Sequence, residues 1–358
     1  MQTTHAVHVG DARDLSLADD SVELVVTSPP YPMVEMWDGS FAAQDPGIAD
    51  ALRAGDGDRA FESMHDLLDG AWAEVARVLA PGGIAVVNVG DATRTVDGTF
   101  RQYPNHVEIT RRMPGHGLSA LPDIVWRKPT NSAAKFMGSG MLPSNAYPTL
   151  EHEHLLVFRN GDTRAFPPGD EDRYASAYFW EERNEWFSDL WELTGTRQDL
   201  SGDARERSGA FPLEVPLRLV LMFSVYGDAV PDPFWGTGRT SVAALVAGRR
   251  SVGVEREPDL VETFDERARE APALSRQVAT DRLEAHRAFV ADRRADGDEP
   301  GYQAEHYDFP VVTKQERSIR LQVVESVERE GSGGSATDRW VAEHEAVEGP
   351  VDSASRTN

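Results

Sequence analysis

Val230-Pro231-Asp232-Pro233-Phe234-Trp235-Gly236-Thr237-Gly238-Arg239-Thr240 lies where an apolar strand turns into a helix, and its reading decides the fold. Glycines at such a turn let the backbone approach a ligand, and the helix N-terminus that follows favours a carboxylate or phosphate. An acidic residue at the end of the next strand can take a ribose diol. Glu255 stands nineteen residues after Gly236 (255 − 236), close to the roughly 20 expected of a nucleotide-type βαβ unit. A Gly-x-Gly turn alone occurs in any α/β protein, but the Asp-Pro-Phe before it and the glutamate after it turn the reading toward a ligand site.

Outward from this stretch, strands and helices alternate. Leu213 to Tyr226 reads as the preceding helix, Thr240 to Ala247 as the following one, and Ser251 to Glu255 as the next strand. Upstream, Glu23 to Thr27 is an apolar strand stopped by Ser28-Pro29-Pro30-Tyr31. Residues 38 to 60 read as a solvated acidic insertion, Phe61 to Leu79 as an amphipathic helix ended at Pro81-Gly82-Gly83, and Ile84 to Val89 as a buried strand. Asp123 to Trp126 and His154 to Phe158 add two more strands. The alternation predicts an α/β fold with a doubly wound, mostly parallel sheet. Past about residue 270 the pattern decays into charged helix and loop with one strand-like stretch near Ile319 to Val327, and the end from Gly331 is expected to be disordered.

The 358 residues carry 36 Lys and Arg against 60 Asp and Glu, a net charge of −24, and no Cys. That excludes disulfides, thiolate metal sites and a cysteine nucleophile. No stretch approaches 18 consecutive apolar residues, so a membrane span is not expected and the chain is read as cytoplasmic. The only lysines are Lys128, Lys135 and Lys314. A surface rich in carboxylates and poor in Lys suits concentrated salt, where charge repulsion is screened within roughly 3 Å at 1 M. Residues 101 to 150 nevertheless hold Arg101, Arg111, Arg112, Arg127, Lys128 and Lys135 against Glu108 and Asp123, a local +4 that could meet phosphate.

Ser28-Pro29-Pro30-Tyr31 has the parts needed to hold a base by its exocyclic amine: rigid backbone carbonyls, a hydroxyl and an aromatic face. The plain alternative is an ordinary proline turn, made less attractive by its place at the end of a buried strand.

The two motifs, in this order, resemble the amino-group DNA methyltransferases of the β arrangement, in which the catalytic motif precedes the S-adenosylmethionine motif. The resemblance extends to Gly10-Asp11, Arg77 to Gly83, Trp126-Arg127-Lys128-Pro129, His152 to Phe158 and Phe211-Pro212, and so spans residues 5 to about 270. It implies a class I S-adenosylmethionine-dependent fold with a small target-recognition insertion and an acidic C-terminal extension. The implied divisions are a catalytic half at 1–159, a target-recognition region at 160–210, a cofactor half at 211–270, the extension at 271–330 and a tail at 331–358. It implies S-adenosyl-L-methionine bound by Asp11, Asp232, Phe234, Gly236, Gly238, Thr240 and Glu255, the target base held by Ser28, Pro29, Pro30 and Tyr31, and double-stranded DNA met by Arg111, Arg112, Arg127, Lys128 and Lys135. The family has Thr directly after Gly-x-Gly; here Arg239 intervenes before Thr240 and could itself pair with the methionine carboxylate.

Methylating carbon 5 of cytosine requires a cysteine, which the chain lacks, whereas transfer to an amine needs only positioning and desolvation. Ser at position 28 resembles the cytosine-N4 members, with adenine N6 as the alternative. The Lys-poor acidic surface resembles stand-alone enzymes of salt-loving archaea that mark CTAG. Between 160 and 210, Tyr174, Tyr178, Phe179, Trp180, Trp186, Phe187 and Trp191 interleave with Arg173, Arg183, Arg197, Arg205 and Arg207, suiting base stacking or a small hydrophobic subdomain equally. His152 and His154 suggest a metal pair, but no third ligand stands at useful spacing, so no metal is expected. Methylation of RNA or of a protein amide, or a non-catalytic specificity subunit, are the competing readings, and a homodimer is left open.

Overall fold

The stretches Val22–Thr27 and Ala229–Asp232 are buried almost throughout, as befits central strands covered on both faces by helices. A computed structural model describes residues 1–128, 137–138, 143–193, 211–330 and 337–348 of the chain. In chain order the elements that carry the fold are β1 (Gln2–Val9), β2 (Val22–Thr27), α1 (Gly57–Val78), β3 (Leu79–Val89), α2 (Asn105–Arg112), β4 (Ile124–Arg127), β5 (His152–Asn160), α3 (Trp180–Trp186), β6 (Leu190–Glu192), α4 (Glu214–Phe223), β7 (Ala229–Asp232), α5 (Arg239–Val246), β8 (Arg250–Glu255), α6 (Phe264–Ala295), β9 (Gln322–Glu330) and β10 (Thr337–Ala346).

The strands form two sheets, β7-β8-β1-β10-β9 and β6-β4-β5-β3-β2. Their adjoining edges are β7 and β2, joined by side chains: Thr27 Oγ1 donates to Asp232 Oδ1 at 2.6 Å and Glu23 Oε2 accepts from the Ala229 amide at 2.9 Å. The pairs next to this seam are parallel, β2 with β3 and β7 with β8. Antiparallel strands close both flanks, β5 on β3 and β10 on β1. Helix α1 fills one core with Met64, Leu68, Trp72, Val75 and Val78, while α4 contributes Val215, Leu219 and Val220 to another. The doubly wound α/β architecture is therefore present, with a mixed rather than wholly parallel sheet.

Two expectations are corrected. Residues 38 to 60 are not a solvated loop: Asp38–Gln44 and Pro46–Arg53 are helices, the second capped by Asp45, whose carboxylate accepts from the Gly47 amide at 2.8 Å. Phe41 and Ile48 anchor them in the core, so a few apolar residues outweigh the acidic composition around them. The end from Gly331 is not wholly disordered either, because β10 lies between β1 and β9. Its inward residues are Trp340, Ala342 and His344, only one of them large and apolar, which is why the alternation is faint in the sequence. His344 and His5 both hydrogen-bond Thr3, and His5 reaches Ser251 at 2.9 Å, so a buried polar chain crosses from β10 to β8. Burial holds His5 neutral, its pKa lowered to about 3.

Trp340 packs edge-on against Phe264 at 4.8 Å and its indole donates to Asp265 at 2.8 Å, tying β10 to the long helix α6. Trp340→Ala should cost about 3–5 kcal/mol and lower the melting temperature by about 10 °C, read by circular dichroism; a variant melting like the parent protein would show the strand to be dispensable.

Candidate active site

Asp232 ends β7 and is buried. It accepts from Thr27 Oγ1 and from the Phe234 amide at 3.1 Å, yet burial outweighs both bonds and pushes its carboxyl up to about 6. The turn that follows is folded back onto β8: the Gly236 amide donates to Glu255 Oε2 at 2.7 Å, while Glu255 Oε1 accepts from the amides of Arg256 and Glu257. A carboxylate offers about four lone-pair sites. Three are filled, leaving one on Glu255 for a further donor. Burial raises the Glu255 pKa as well. Gly10 joins the same strand edge through its amide, 2.9 Å from the Glu255 carbonyl, and carries Asp11 beside it. Asp11 is held low by Arg13, whose guanidinium grips it in a fork at 2.7 and 2.9 Å.

The two motif glycines do different jobs. Gly236, at φ 56°, would set a Cβ in ordinary contact with the Phe234 carbonyl at 3.8 Å, so it is the left-handed backbone rather than space that calls for glycine. Gly238, at φ 75°, could not carry a Cβ without meeting Trp235 at 2.6 Å and Phe264 at 2.8 Å, so it is a packing residue first. Thr237 Oγ1 is buried between them with no hydrogen-bond partner. The Thr240 hydroxyl is committed elsewhere, donating to the Val26 carbonyl at 3.2 Å, and binds α5 to β2. Arg239 is half-buried with Nε unpartnered, and burial lowers its pKa against the opposing charge of Glu270 on α6.

Ser28-Pro29-Pro30-Tyr31 leaves β2 one residue after Thr27, so the bond from Thr27 to Asp232 places the two motifs side by side. Pro29 is buried; Ser28, Pro30 and Tyr31 are half-buried. Ser28 Oγ lies 3.1 Å from the Tyr31 hydroxyl, which donates to Glu153 Oε2 at 3.0 Å. Asn88, buried near the end of β3, donates to Tyr31 at 2.9 Å and to Glu153 at 2.8 Å. Lys128 pairs with the other oxygen of Glu153 and lies over the Trp126 ring. Burial, then the Glu153 charge, pushes the Tyr31 phenol far above its ordinary value, so it stays protonated. Neither Asn88 nor Glu153 was marked by sequence reasoning; an Asn closing an otherwise apolar strand was the available signal for the first.

The basic window disperses in space. Arg111 pairs with Glu108, Arg112 with Glu62 and Asp66 of α1, Arg101 with Asp58, and Arg127 with Glu192 at 2.7 Å. At Arg111 and Arg112 the expected positive face thus carries acids beside it, Glu108 from the same helix and Glu62 and Asp66 from α1. Lys135 lies outside the described residues, as do Arg197, Arg205 and Arg207. Among the aromatics of 160–193, Phe179, Trp186 and Trp191 are buried, while Tyr174, Trp180 and Phe187 are exposed.

The fold also supplies what the sequence lacked beside His154. Asp91 and His106 bring their ligand-type atoms within 4.8 Å of one of its nitrogens. The imidazoles of His106 and His154 stack at 4.0 Å and 12°, with Nδ1 of one on Asp91 at 2.8 Å and Nδ1 of the other on Asp123 at 3.2 Å. Ring lone pairs lie in the ring plane, so parallel stacked rings do not converge on one ion; the arrangement is two hydrogen-bonded Asp–His pairs back to back.

A family model for DNA methylases matches residues 22–266, which include both motifs. The chain belongs to the N6/N4 DNA methylase family. The methylase is 45% identical over 327 residues to the Type II methyltransferase M.MthZI of Methanothermobacter thermautotrophicus, covering 90% of this chain and 91% of that protein. It is 45% identical over 277 residues to the Type II methyltransferase M.MjaI of Methanocaldococcus jannaschii, covering 74% and 91%. Its fold matches TTHA0409, a DNA modification methylase of Thermus thermophilus crystallised with S-adenosyl-L-methionine, with TM-score 0.58 and 34% identity over 75% of this chain and 95% of that one.

S-adenosyl-L-methionine is accordingly the methyl donor of this methylase. The strand-edge groups fit such a molecule: a spare acceptor on Glu255 and the unpartnered Thr237 hydroxyl beside the glycine turn.

A raised acid pKa means that the folded state binds the proton more tightly than the unfolded chain, so stability from Asp232 grows as pH falls through about 6 toward about 4. Asp232→Asn, which keeps an acceptor for Thr27, should remove that gain. In melting curves without cofactor, the parent protein should gain on the variant between pH 7 and pH 5; a pH-independent difference would mean that Asp232 titrates normally.

Proposed function

We propose that the methylase transfers its methyl group to the exocyclic N4 of a cytosine flipped from duplex DNA. The observation that carries this is the meeting of Ser28, the Pro29 carbonyl and Tyr31 with the Asp232–Gly238 turn across the Thr27–Asp232 bond. Glu255 takes a ribose hydroxyl, Gly236 and Phe234 border the adenosine, and Asp11 receives the adenine amine in exchange for part of its Arg13 fork. Thr237 replaces Thr240 as the free hydroxyl of the turn, since Thr240 is spent on Val26. Gly238 acts through the packing of Trp235.

S-adenosyl-L-methionine supplies an electrophilic methyl; the chain's own residues orient the amine for in-line attack and remove positive charge from it. Tyr31 offers its ring to the base while its hydroxyl is anchored, so the platform cannot swing. Serine at position 28 and the absence of cysteine favour N4 of cytosine and leave adenine N6 as the second reading. Arg127 and Lys128, next to the site, meet phosphate by exchanging their carboxylate partners, and the acidic Lys-poor surface points to work in concentrated salt like that of enzymes marking CTAG.

Nucleoside mass spectrometry of treated DNA should show N4-methylcytosine, with the modified site mapped by sequencing; N6-methyladenine alone would overturn the cytosine assignment. Tyr31→Ala, losing a stacking contact of about 1–3 kcal/mol, should lower turnover at least tenfold while leaving cofactor affinity within about threefold.

With a net charge of −24, unfolding should move to higher temperature as KCl rises from about 0.1 to 2 M. An unchanged melting temperature would remove the salt-adapted reading.

A further inference from the structure

A serine hydroxyl can donate or accept, so Ser28 by itself does not distinguish an amine from a carbonyl. Its neighbours settle the direction. Glu153 is an acceptor only, held by Lys128 on one oxygen, and its other oxygen takes the single hydrogen of Tyr31. The Asn88 amide nitrogen faces Glu153 and Tyr31 and, at a longer 3.4 Å, Ser28 Oγ; turned round, it would set its oxygen against a carboxylate. With its hydrogen spent, the Tyr31 oxygen can only accept from Ser28 at 3.1 Å. The Ser28 hydrogen therefore points at Tyr31, and its oxygen is left to accept, at most from Asn88 Nδ2 at 3.4 Å on one side and from a further donor on the other. A hydrogen bond to a carboxylate is the strongest link of such a chain, so the charge on Glu153 sets the polarity of every hydroxyl after it.

We propose that Glu153 is a positioning residue which, through Tyr31 and Asn88, fixes Ser28 as a hydrogen-bond acceptor and so makes the pocket select a base bearing an exocyclic amine over the same ring bearing a carbonyl. The proposal rests on the base-pocket reading above and adds to it the origin of its chemical choice. An amine presents N–H to the Ser28 lone pairs; a carbonyl presents a second lone pair and leaves both oxygens unpaired, the kind of mismatch that polar sites reject strongly.

The test uses duplexes carrying the mapped site with either the methylated base or its keto counterpart at the target position: uracil for cytosine, or hypoxanthine for adenine. Dissociation constants are measured with S-adenosyl-L-homocysteine present, for the parent protein and for Glu153→Gln. Unpairing a keto base from its partner has its own energy, but it belongs to the DNA and cancels when the two proteins' ratios are compared. The preference for the amino duplex should fall about tenfold or more in Glu153→Gln, with kcat reduced and the KM for cofactor unchanged. Tyr31→Phe, which keeps the ring and removes the relay hydroxyl, should lose the same preference and decides the matter if Glu153→Gln fails to fold. Preference ratios within twofold of the parent in the folded variants overturn the proposal. Failure of the parent protein to methylate a base amine would instead overturn the earlier reading.

Discussion

The hydroxyl of Thr27 and the carboxyl of Asp232 meet at 2.6 Å in the seam between two sheets, and the site is built around that contact. On one side, β2 runs out into the proline loop; on the other, β7 runs out into the glycine turn. In the reading proposed above, neither motif acts alone, since one is assigned the base and the other the cofactor. A seam of side-chain bonds, with Thr240 Oγ1 reaching Val26 as a second stitch, keeps both strand ends in register. The cost is a buried acid of raised pKa, a strain accepted at the place where geometry matters most.

Much of this was readable from residue order because it depends on local chemistry. Prolines after an apolar strand, Gly-x-Gly before a helix and an acid at the next strand end are local signals, and each stands where it was expected. The strands β9 and β10 were harder, because β10 buries a single large apolar side chain and takes its partners from the first residues of the chain. Asn88 and Glu153 were missed for a related reason: they are polar residues on strands, and only pairing of β3 with β5 in the register His154 opposite Val89 brings them to Tyr31. Composition misled after Asp38, where acidic residues hid Phe41 and Ile48, and it could not show the ion pairing within the basic stretch after Arg101, where Arg112 meets Glu62 and Asp66 of α1.

Those ion pairs change how the charge of the molecule should be pictured. Many of its arginines are forked onto carboxylates, as Arg94 is onto Asp38 and Arg329 onto Asp265 and Asp338. Exposed pairs of this sort contribute little to stability singly. Their collective effect is to leave a surface whose residual charge is carboxylate, so that approach to DNA depends on groups close to the site rather than on a broad basic face.

The placement of β1 between β8 and β10 has a consequence for how the protein folds. Residues 2–9 find their partners far along the sequence, at 251–255 and 337–343. The half of the sheet that supports Glu255 therefore closes through contacts of large sequence separation, which are slow to form. Strand β10 thereby acts as a clasp across the sequence: through Trp340 on Phe264 it also holds α6, the helix whose Phe264 packs against Trp235 of the glycine turn.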